Sequence, residues 1–223
     1  MGALETSIGR KLAMAASGQA LLGFLVVHAL GNASLLGGAD RLNAYAEHLH
    51  AVPALVWGAR AGLFALFALH IWQGALLALE NRAARPAGYA VTRHRGSTFA
   101  SRTMIWTGLV IAVFLGYHLL HFTGQVLEPE LAAGSHPDGL GRPDVARMVV
   151  GGLARPASAA IYLLAMLALG VHLFHGVQSS FQTLGLHGER SFPWVVRLGR
   201  GTAAALAIAF VLVPAGILVG LLR

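Results

Sequence analysis

The chain has 223 residues, of which 56% are hydrophobic and only 11% are charged, and its mean hydropathy is +0.66. Soluble domains carry roughly 25% charged residues, so this composition excludes an ordinary soluble protein and predicts an all-α membrane protein. The formal net charge of +7 is interpreted as a signal of membrane topology and of anionic lipid as a partner, and it gives no support to nucleic-acid binding.

Five apolar segments are each long enough to cross a membrane, which takes about 20 residues. The predicted helices are 12–36, 54–79, 103–127, 156–182 and 201–222. The first follows Arg10 and Lys11 as a cleaved signal peptide would, but the third segment repeats its pattern, so we interpret it as a retained helix. No connection is long enough for a separate catalytic domain, and we expect a single transmembrane domain over 1–223.

The connections between the segments predict little regular structure. After the first segment, the stretch NAYAEHLH suits an interfacial helix and equally a set of surface residues, among them Tyr45, His48 and His50. The connection from Glu128 to Arg155 holds the prolines, glycines and acidic residues typical of an exposed loop. The fifth segment has no histidine and one interior proline, so we expect a packing helix beside a bundle of four.

Basic residues in the connections predict the orientation. If the N-terminus is inside, the inner connections carry ten basic residues against three acidic ones, and the outer connections carry six of each. The inner basic residues are Arg10, Lys11, Arg82, Arg85, Arg93, Arg95, Arg102, Arg190, Arg197 and Arg200. We therefore expect a cytoplasmic N-terminus in a bacterial cytoplasmic membrane.

One histidine lies deep in each of the first four segments. At 1.5 Å per helical residue, His28 and His118 lie about 24 Å from the inner ends of their helices, and His70 and His172 about 15 Å. Each of the two levels therefore offers a pair of imidazoles. A pair of axial histidines is what a b-type haem requires, and non-covalent binding agrees with the absence of cysteine. The pattern predicts two b haems.

Four glycines accompany the histidines. Gly18 and Gly108 each precede a histidine by ten residues, about 15 Å, which puts them near the level of the other pair, where a side chain would collide with a flat macrocycle. Gly74 and Gly176 each follow a histidine by four residues and would let the helix backbone approach the ring.

Simpler interpretations of these residues exist. A lone histidine in a span is often a hydrogen-bonded packing residue, and small residues usually serve helix contacts. Zinc or copper is disfavoured because pairs at separate levels cannot close a tetrahedral site. His121 and His175 each lie three residues from a proposed ligand and compete for its role. Depth prefers His118 and His172 as the ligands, leaving the other two for propionate hydrogen bonds or a quinone contact.

Four stretches show a family resemblance: SIGRKLAMAASGQALLGFLVVHALGN, NAYAEHLH, FLGYHLLHFTG and GVHLFHGVQSSFQTLG. They resemble the five-helix, di-haem cytochrome b subunit of succinate:quinone oxidoreductases, over essentially the whole chain. The resemblance implies His28 and His118 as ligands of a distal haem and His70 and His172 as ligands of a proximal haem. It also implies a flavoprotein partner that oxidises succinate, an iron–sulfur partner, and menaquinone as the favoured quinone. Some relatives carry a buried glutamate where this chain has Gly170, which puts a proton path there in doubt.

Further site residues are weaker candidates. Arg60 and the hydroxyls of Ser17, Thr107 and Tyr162 are candidates for haem propionates or quinone. We expect the iron–sulfur partner to dock at the basic stretch 82–102. A second haem extends the electron route outward, so we expect a quinone site near 32–57.

Two other functions fit parts of the pattern. One is a cytochrome b anchor for another dehydrogenase, such as a hydrogenase or formate dehydrogenase. The other is a proton-coupled transporter that uses the histidines as relays and needs no pigment.

Overall fold

The computed structural model describes residues 6–84, 97–186 and 188–223, and this part of the chain is helical apart from loops and an isolated bridge between Pro137 and Pro143. Its α-helices are α1 Ser7–Ala33, α2 Ala39–His50, α3 Pro53–Ala83, α4 Phe99–Arg102, α5 Met104–His118, α6 Val145–Leu153, α7 Pro156–Thr183 and α8 Phe192–Leu218. Short 3₁₀ turns follow at Ser34–Gly37, Pro129–Leu131 and Ala133–Ser135, and a π-helical turn at Leu119–Thr123. The predicted all-α class is confirmed.

Five of these helices are long and apolar enough to cross a membrane, which confirms a multi-pass membrane protein. With their terminal turns they are Ser7–Gly37, Pro53–Ala83, Met104–Thr123, Pro156–Thr183 and Phe192–Leu218. Even the shortest, of 20 residues, spans about 30 Å. Large apolar side chains such as Phe64 and Trp106 are 77% and 68% exposed, as expected of helix faces that contact lipid.

Two helices begin earlier than the apolar segments predicted. α1 begins at Ser7, five residues before residue 12, because the Thr6 side chain caps it by accepting a hydrogen bond from the Gly9 amide. α8 begins at Phe192, nine residues before residue 201, so two arginines lie inside it. The guanidinium of Arg200 lies 5.3 Å from the centre of the Phe174 ring on α7. Arginine side chains reach along apolar surface to a polar end, so gaps between charges locate the apolar core and not the helix ends.

The third membrane helix changes its geometry near its end. The α-helix stops at His118, a π-helical turn continues to Thr123, and the helix ends four residues before the predicted residue 127. The Gly124 amide donates to the Leu119 carbonyl at 2.6 Å across this turn. Single π turns are frequent at functional sites because they re-aim side chains. Here the turn carries His121 into the protein interior.

α7 is the central helix of the bundle and packs against α1, α5 and α8. Its contact with α8 is built from small and apolar residues, including Ala165 at 2% and Ala203 at 2% exposure. Gly199 of α8 lies against the α7 backbone, where a Cβ would come within 3.3 Å of the Gln178 amide nitrogen. Small residues of this kind let membrane helices approach closely. α8 is therefore a packing helix.

A polar cap closes the end of the bundle opposite the start of α1. It consists of α2, α6 and the connection 124–144. Asn43 of α2 is 2% exposed and accepts a hydrogen bond from the Ala146 amide of α6 at 2.9 Å. Arg142 donates to Asp138 at 2.8 Å and to Asp40 at 2.6 Å. The hydrogen bond from Arg142 lowers the pKa of Asp138 to about 2, so this cluster stays charged at neutral pH.

Candidate functional site

The structure brings the four deep histidines together as two pairs. The ring centroids of His28 on α1 and His118 on α5 are 5.8 Å apart. Those of His70 on α3 and His172 on α7 are 6.4 Å apart. The second pair lies nearer the end of the bundle where α1 begins, so we call it the near pair and the first the far pair. Every one of the four rings is partly buried.

The spacing within each pair suits one metal ion held between two imidazoles. A metal binds an imidazole nitrogen at about 2 Å, which places the centroids of two opposed rings roughly 6 Å apart. The observed 5.8 and 6.4 Å bracket this value. No group of three or more His, Cys, Asp or Glu that could hold a metal ion occurs among the described residues. Each pair would supply two imidazole ligands, the number that a b-type haem takes from a protein.

Hydrogen bonds select the tautomer of His70. Its Nδ1 lies 3.2 Å from the Met14 carbonyl oxygen and 3.3 Å from Ser17 Oγ. A carbonyl oxygen only accepts, so Nδ1 carries the proton. Ser17 Oγ uses its own proton on the Met14 carbonyl at 3.1 Å and therefore also accepts from His70. Nε2 keeps its lone pair, which is the state that a metal ligand needs.

His172 is held in the same way by the third membrane helix. Its Nδ1 lies 3.1 Å from Thr107 Oγ1. The threonine hydroxyl donates its proton to a backbone carbonyl, with Thr103 at 3.0 Å and Met104 at 3.1 Å. It is therefore left to accept from His172 Nδ1, so Nε2 of this ring keeps its lone pair. The sequence predicted that the Ser17 and Thr107 hydroxyls contact haem propionates or quinone. In the structure they contact Nδ1 of His70 and of His172 instead.

The two hydroxyls belong to an internal repeat that sequence reasoning found only in part. α1 and α5 share a methionine, a hydroxyl residue three positions on, a glycine next to it and a histidine ten further on. The equivalent residues are Met14 and Met104, Ser17 and Thr107, Gly18 and Gly108, and His28 and His118, each 90 residues apart. The sequence prediction uses the glycines and histidines of this repeat. It leaves out the methionine and hydroxyl positions, although they recur at the same spacing of 90 residues. Each repeat presents the same surface to a histidine of the next membrane helix.

Two of the predicted glycines lie against the near pair. A Cβ on Gly18 would come within 3.2 Å of His70 Cε1, and one on Gly108 within 3.5 Å of His172 Cε1. Both glycines therefore stand at the level of the near pair although their own helices carry the far pair. Since Gly18 and His28 are ten residues apart on α1, the two pairs lie about 15 Å apart along the bundle.

The other two glycines lie beside methionines. A Cβ on Gly74 would come 3.8 Å from Met14 Sδ, and one on Gly176 3.9 Å from Met104 Cε. These are ordinary van der Waals distances. A small residue is therefore less strictly required here than at Gly18.

The far pair lies in an aromatic environment. His28 stacks on Phe24 with centroids 5.3 Å apart and lies 5.8 Å from Phe210. His118 Nδ1 lies 3.1 Å from the Tyr162 hydroxyl. Tyr162, which the sequence predicted as a propionate or quinone contact, thus contacts a predicted ligand directly at Nδ1.

The competing histidines occupy other positions. His121 is 3% exposed, and its Nδ1 lies 3.3 Å from the Tyr162 hydroxyl. Its Nε2 lies 3.3 Å from Glu128 Oε2, so both ring nitrogens point away from His28. His175 is partly buried beside the near pair, but the ring that meets His70 is that of His172.

Two further predicted positions lie outside the histidine pairs. The Arg60 side chain is exposed, and its guanidinium lies 4.9 Å from the Trp57 ring centre. Gly170, where some relatives of the resembled family carry a glutamate, faces α8, and a Cβ there would come within 3.1 Å of Ala207 Cβ. A longer side chain at 170 would therefore meet the packing helix.

The end of the bundle where α1 begins is basic in the part that the structure describes. Arg10 of α1 forms an ion pair with Glu80 of α3. Arg102 donates to the Ser97 carbonyl at 2.9 Å. Most of the predicted docking stretch, including Arg85, Arg93 and Arg95, lies outside the described residues.

Comparisons of the chain with models of known families, with curated proteins and with solved structures give no match in any of the three. The geometry of the two histidine pairs therefore carries the functional argument.

Proposed function

We propose that this chain is the di-haem cytochrome b membrane anchor of a succinate:quinone oxidoreductase. In this role it carries electrons from an iron–sulfur subunit to a membrane quinone, with menaquinone favoured. Succinate oxidation itself takes place on a flavoprotein partner. The resemblance of four sequence stretches to that family supports the choice of enzyme.

The observation that carries the proposal is the pairing of histidines at two levels, with Nδ1 hydrogen-bonded in three of the four rings. The oxygens beside Nδ1 are the Met14 carbonyl and the Ser17 hydroxyl for His70, the Thr107 hydroxyl for His172 and the Tyr162 hydroxyl for His118. Packing histidines need no such common orientation. Outer partners of this kind fix the ring and raise the basicity of a metal-bound histidine.

Each element of the chain has a defined task in this proposal. The near pair would hold one haem b and the far pair the other, and the bound haems would supply one-electron transfer through the apolar core. Gly18 and Gly108 leave room beside the near pair, because a larger side chain would meet the ligand ring. The polar cap and the aromatic side chains around His28 would shield the bound haem of the far pair from water.

The proposed orientation puts the N-terminus and the near pair on the cytoplasmic side of a bacterial membrane. The basic residues at that end support it by the positive-inside rule. The same end would receive the iron–sulfur subunit, so electrons would enter beside the near pair. A quinone site by 32–57 would then lie beside the far pair, under the polar cap.

Spectroscopy of the complex tests the proposal. The chain is co-expressed with its flavoprotein and iron–sulfur subunits, purified from membranes, and measured as a succinate-reduced minus oxidised difference spectrum. We expect co-purified flavin and b-type bands that appear with succinate. Bands that appear only with dithionite would favour an anchor of another dehydrogenase. No haem band in the purified protein would favour a transporter and contradict the proposal.

A further inference from the structure

A chain of polar contacts leads from His118 to the surface of the polar cap. His118 Nδ1 lies 3.1 Å from the Tyr162 hydroxyl, which lies 3.3 Å from His121 Nδ1. His121 Nε2 lies 3.3 Å from Glu128 Oε2, and Glu128 Oε1 lies 2.9 Å from an Arg155 guanidinium nitrogen. Tyr162, His121 and Glu128 are 8%, 3% and 8% exposed, whereas the Arg155 side chain is 50% exposed.

Metal binding at His118 would determine the direction of every contact in this chain. A neutral His118 that binds through Nε2 carries its proton on Nδ1 and donates it to the Tyr162 oxygen. The single phenol proton is then donated to His121 Nδ1. His121 in turn carries its own proton on Nε2, directed at Glu128. The two contacts of the Tyr162 hydroxyl thus each have one donor and one acceptor, and the third is a close approach of His121 Nε2 to Glu128 Oε2 at 3.3 Å.

His121 Nε2 and Glu128 Oε2 are 3.3 Å apart but do not meet the geometry of a hydrogen bond. Neither His121 Nε2 nor Glu128 Oε2 has a hydrogen-bond partner in the described part of the chain, although both are buried. A Cβ on Gly152 would come within 2.8 Å of the first atom and 3.2 Å of the second. The absence of a side chain at Gly152 therefore lets the carboxylate and the imidazole lie close together, because a side chain there would meet both. Buried polar atoms left without full hydrogen bonds are rare and call for a functional reason.

The polar groups around Glu128 come from three elements. Arg155, at the start of α7, binds both Glu128 and Glu130, the latter at 2.6 Å. His121 comes from the π-helical turn, and Tyr162 from the interior of α7. Among the described residues, Glu128 is therefore the only carboxylate that directly contacts the buried residues of this series of polar contacts.

We propose that Glu128 lowers the reduction potential of the far haem through His121 and Tyr162. The carboxylate attracts the His121 proton, which favours donation from Tyr162 to His121 and so makes the phenol oxygen a better acceptor for His118. A histidine whose outer nitrogen donates strongly is a stronger ligand to oxidised iron. Glu128, His121 and Tyr162 are thus positioning residues that act through His118. This inference rests on the proposed function because it requires haem at the far pair.

Redox titration of the purified di-haem chain tests this inference without measuring turnover. The far and near haems are followed by their absorption while the potential is varied. Removing an outer partner of a metal-bound histidine costs at least about tenfold in affinity, so we expect Glu128→Gln to raise the ratio of reduced to oxidised far haem about tenfold at a fixed potential. For one electron this is a shift of about 59 mV upward. The near haem should keep its potential.

A double replacement separates the contact chain from a charge effect through space. Tyr162→Phe removes the link without changing any charge and should raise the far potential by a similar amount. In the Tyr162→Phe background, Glu128→Gln should add little, because coupled residues are not additive. The matched control is Glu130→Gln. Glu130 binds the same arginine, but its side chain is 58% exposed, so this replacement should leave both potentials unchanged.

The outcomes distinguish this inference from the proposed function. If Glu128→Gln shifts the far potential equally with and without the Tyr162 hydroxyl, or does not shift it at all, the role of the contact chain is overturned. The proposed function is kept in that case, because both haems are still bound. If Glu128→Gln does not yield folded protein, an unchanged far potential in Tyr162→Phe alone overturns it. A chain that holds no haem would overturn the proposed function and this inference with it.

Discussion

Replacing Gly18 by leucine is expected to remove the near haem and to keep the far one. A Cβ at this position would lie 3.2 Å from His70 Cε1, which is closer than an ordinary van der Waals contact, and leucine adds branched carbon atoms beyond it. The ring must therefore turn away from α1. Turning breaks the contacts of Nδ1 with Met14 and Ser17, worth about 1 kcal/mol each, and an off-rotamer side chain costs about 1 kcal/mol more.

These terms add up to about 3 kcal/mol, which weakens binding of the near haem roughly a hundredfold. The measurement is the haem-to-protein ratio of the purified chain, together with the reduced spectrum that distinguishes the two haems. The matched control is Gly23→Leu on the same helix, where a Cβ has no neighbour within 4 Å. We expect one haem per chain in the first variant and two in the control.

A graded series makes the test sharper. Gly108→Leu should act on His172 as Gly18→Leu acts on His70. Gly108→Ala should be nearly neutral, because its Cβ would lie at an ordinary 3.5 Å from the ring. Two haems per chain in both leucine variants would refute the reasoning and leave these glycines as helix-packing residues.

Three further predictions concern the rival histidines, the polar cap and the membrane potential. His121→Ala and His175→Ala should each retain two haems by spectral quantification, and loss of a haem in either would transfer the ligand role to that residue. Asp138→Asn should lower the unfolding temperature at pH 7 because it removes the contact with Arg142. The folded pKa of about 2 lies below the usual 3.8, so this contribution is present above pH 3.8 and should disappear toward pH 2; equal unfolding temperatures at pH 7 would contradict it. In sealed vesicles with the outside positive, an uncoupler should slow succinate-dependent quinone reduction by the complex, since a charge crossing the membrane field gains about 2.3 kcal/mol per 100 mV, and unchanged rates would exclude a quinone site beside the far pair.

Composition and charge spacing were sufficient to predict the membrane helices. Each of the five apolar segments overlaps one of the long helices, because burial in lipid requires an uninterrupted apolar run. Their ends were less predictable. The cap at Thr6 and the arginines inside α8 depend on side-chain contacts that hydropathy does not record.

Depth along each helix also indicated which histidines could meet. It placed His70 and His172 at one level and His28 and His118 at another, and the structure brings these rings together. Depth alone does not show which way a side chain points around the helix. That direction separates His118 from His121, since the π-helical turn aims the latter at Glu128.

The supporting contacts were the least predictable part of the site. The Met14 carbonyl is a backbone group, so its role with His70 has no signature in residue type. The link from Tyr162 to Glu128 joins residues of α7 and of a loop that the sequence indicated only as exposed. It forms because α6 and the connection before it fold back over the bundle.

Haem content and axial ligation of the purified chain test the central claim most directly. We expect two low-spin b haems per chain, each with two histidine ligands. His70→Ala or His172→Ala should remove one of them, and His28→Ala or His118→Ala the other. A chain that purifies without haem, or that keeps both haems in all four variants, would contradict the assignment of the histidine pairs as haem ligands.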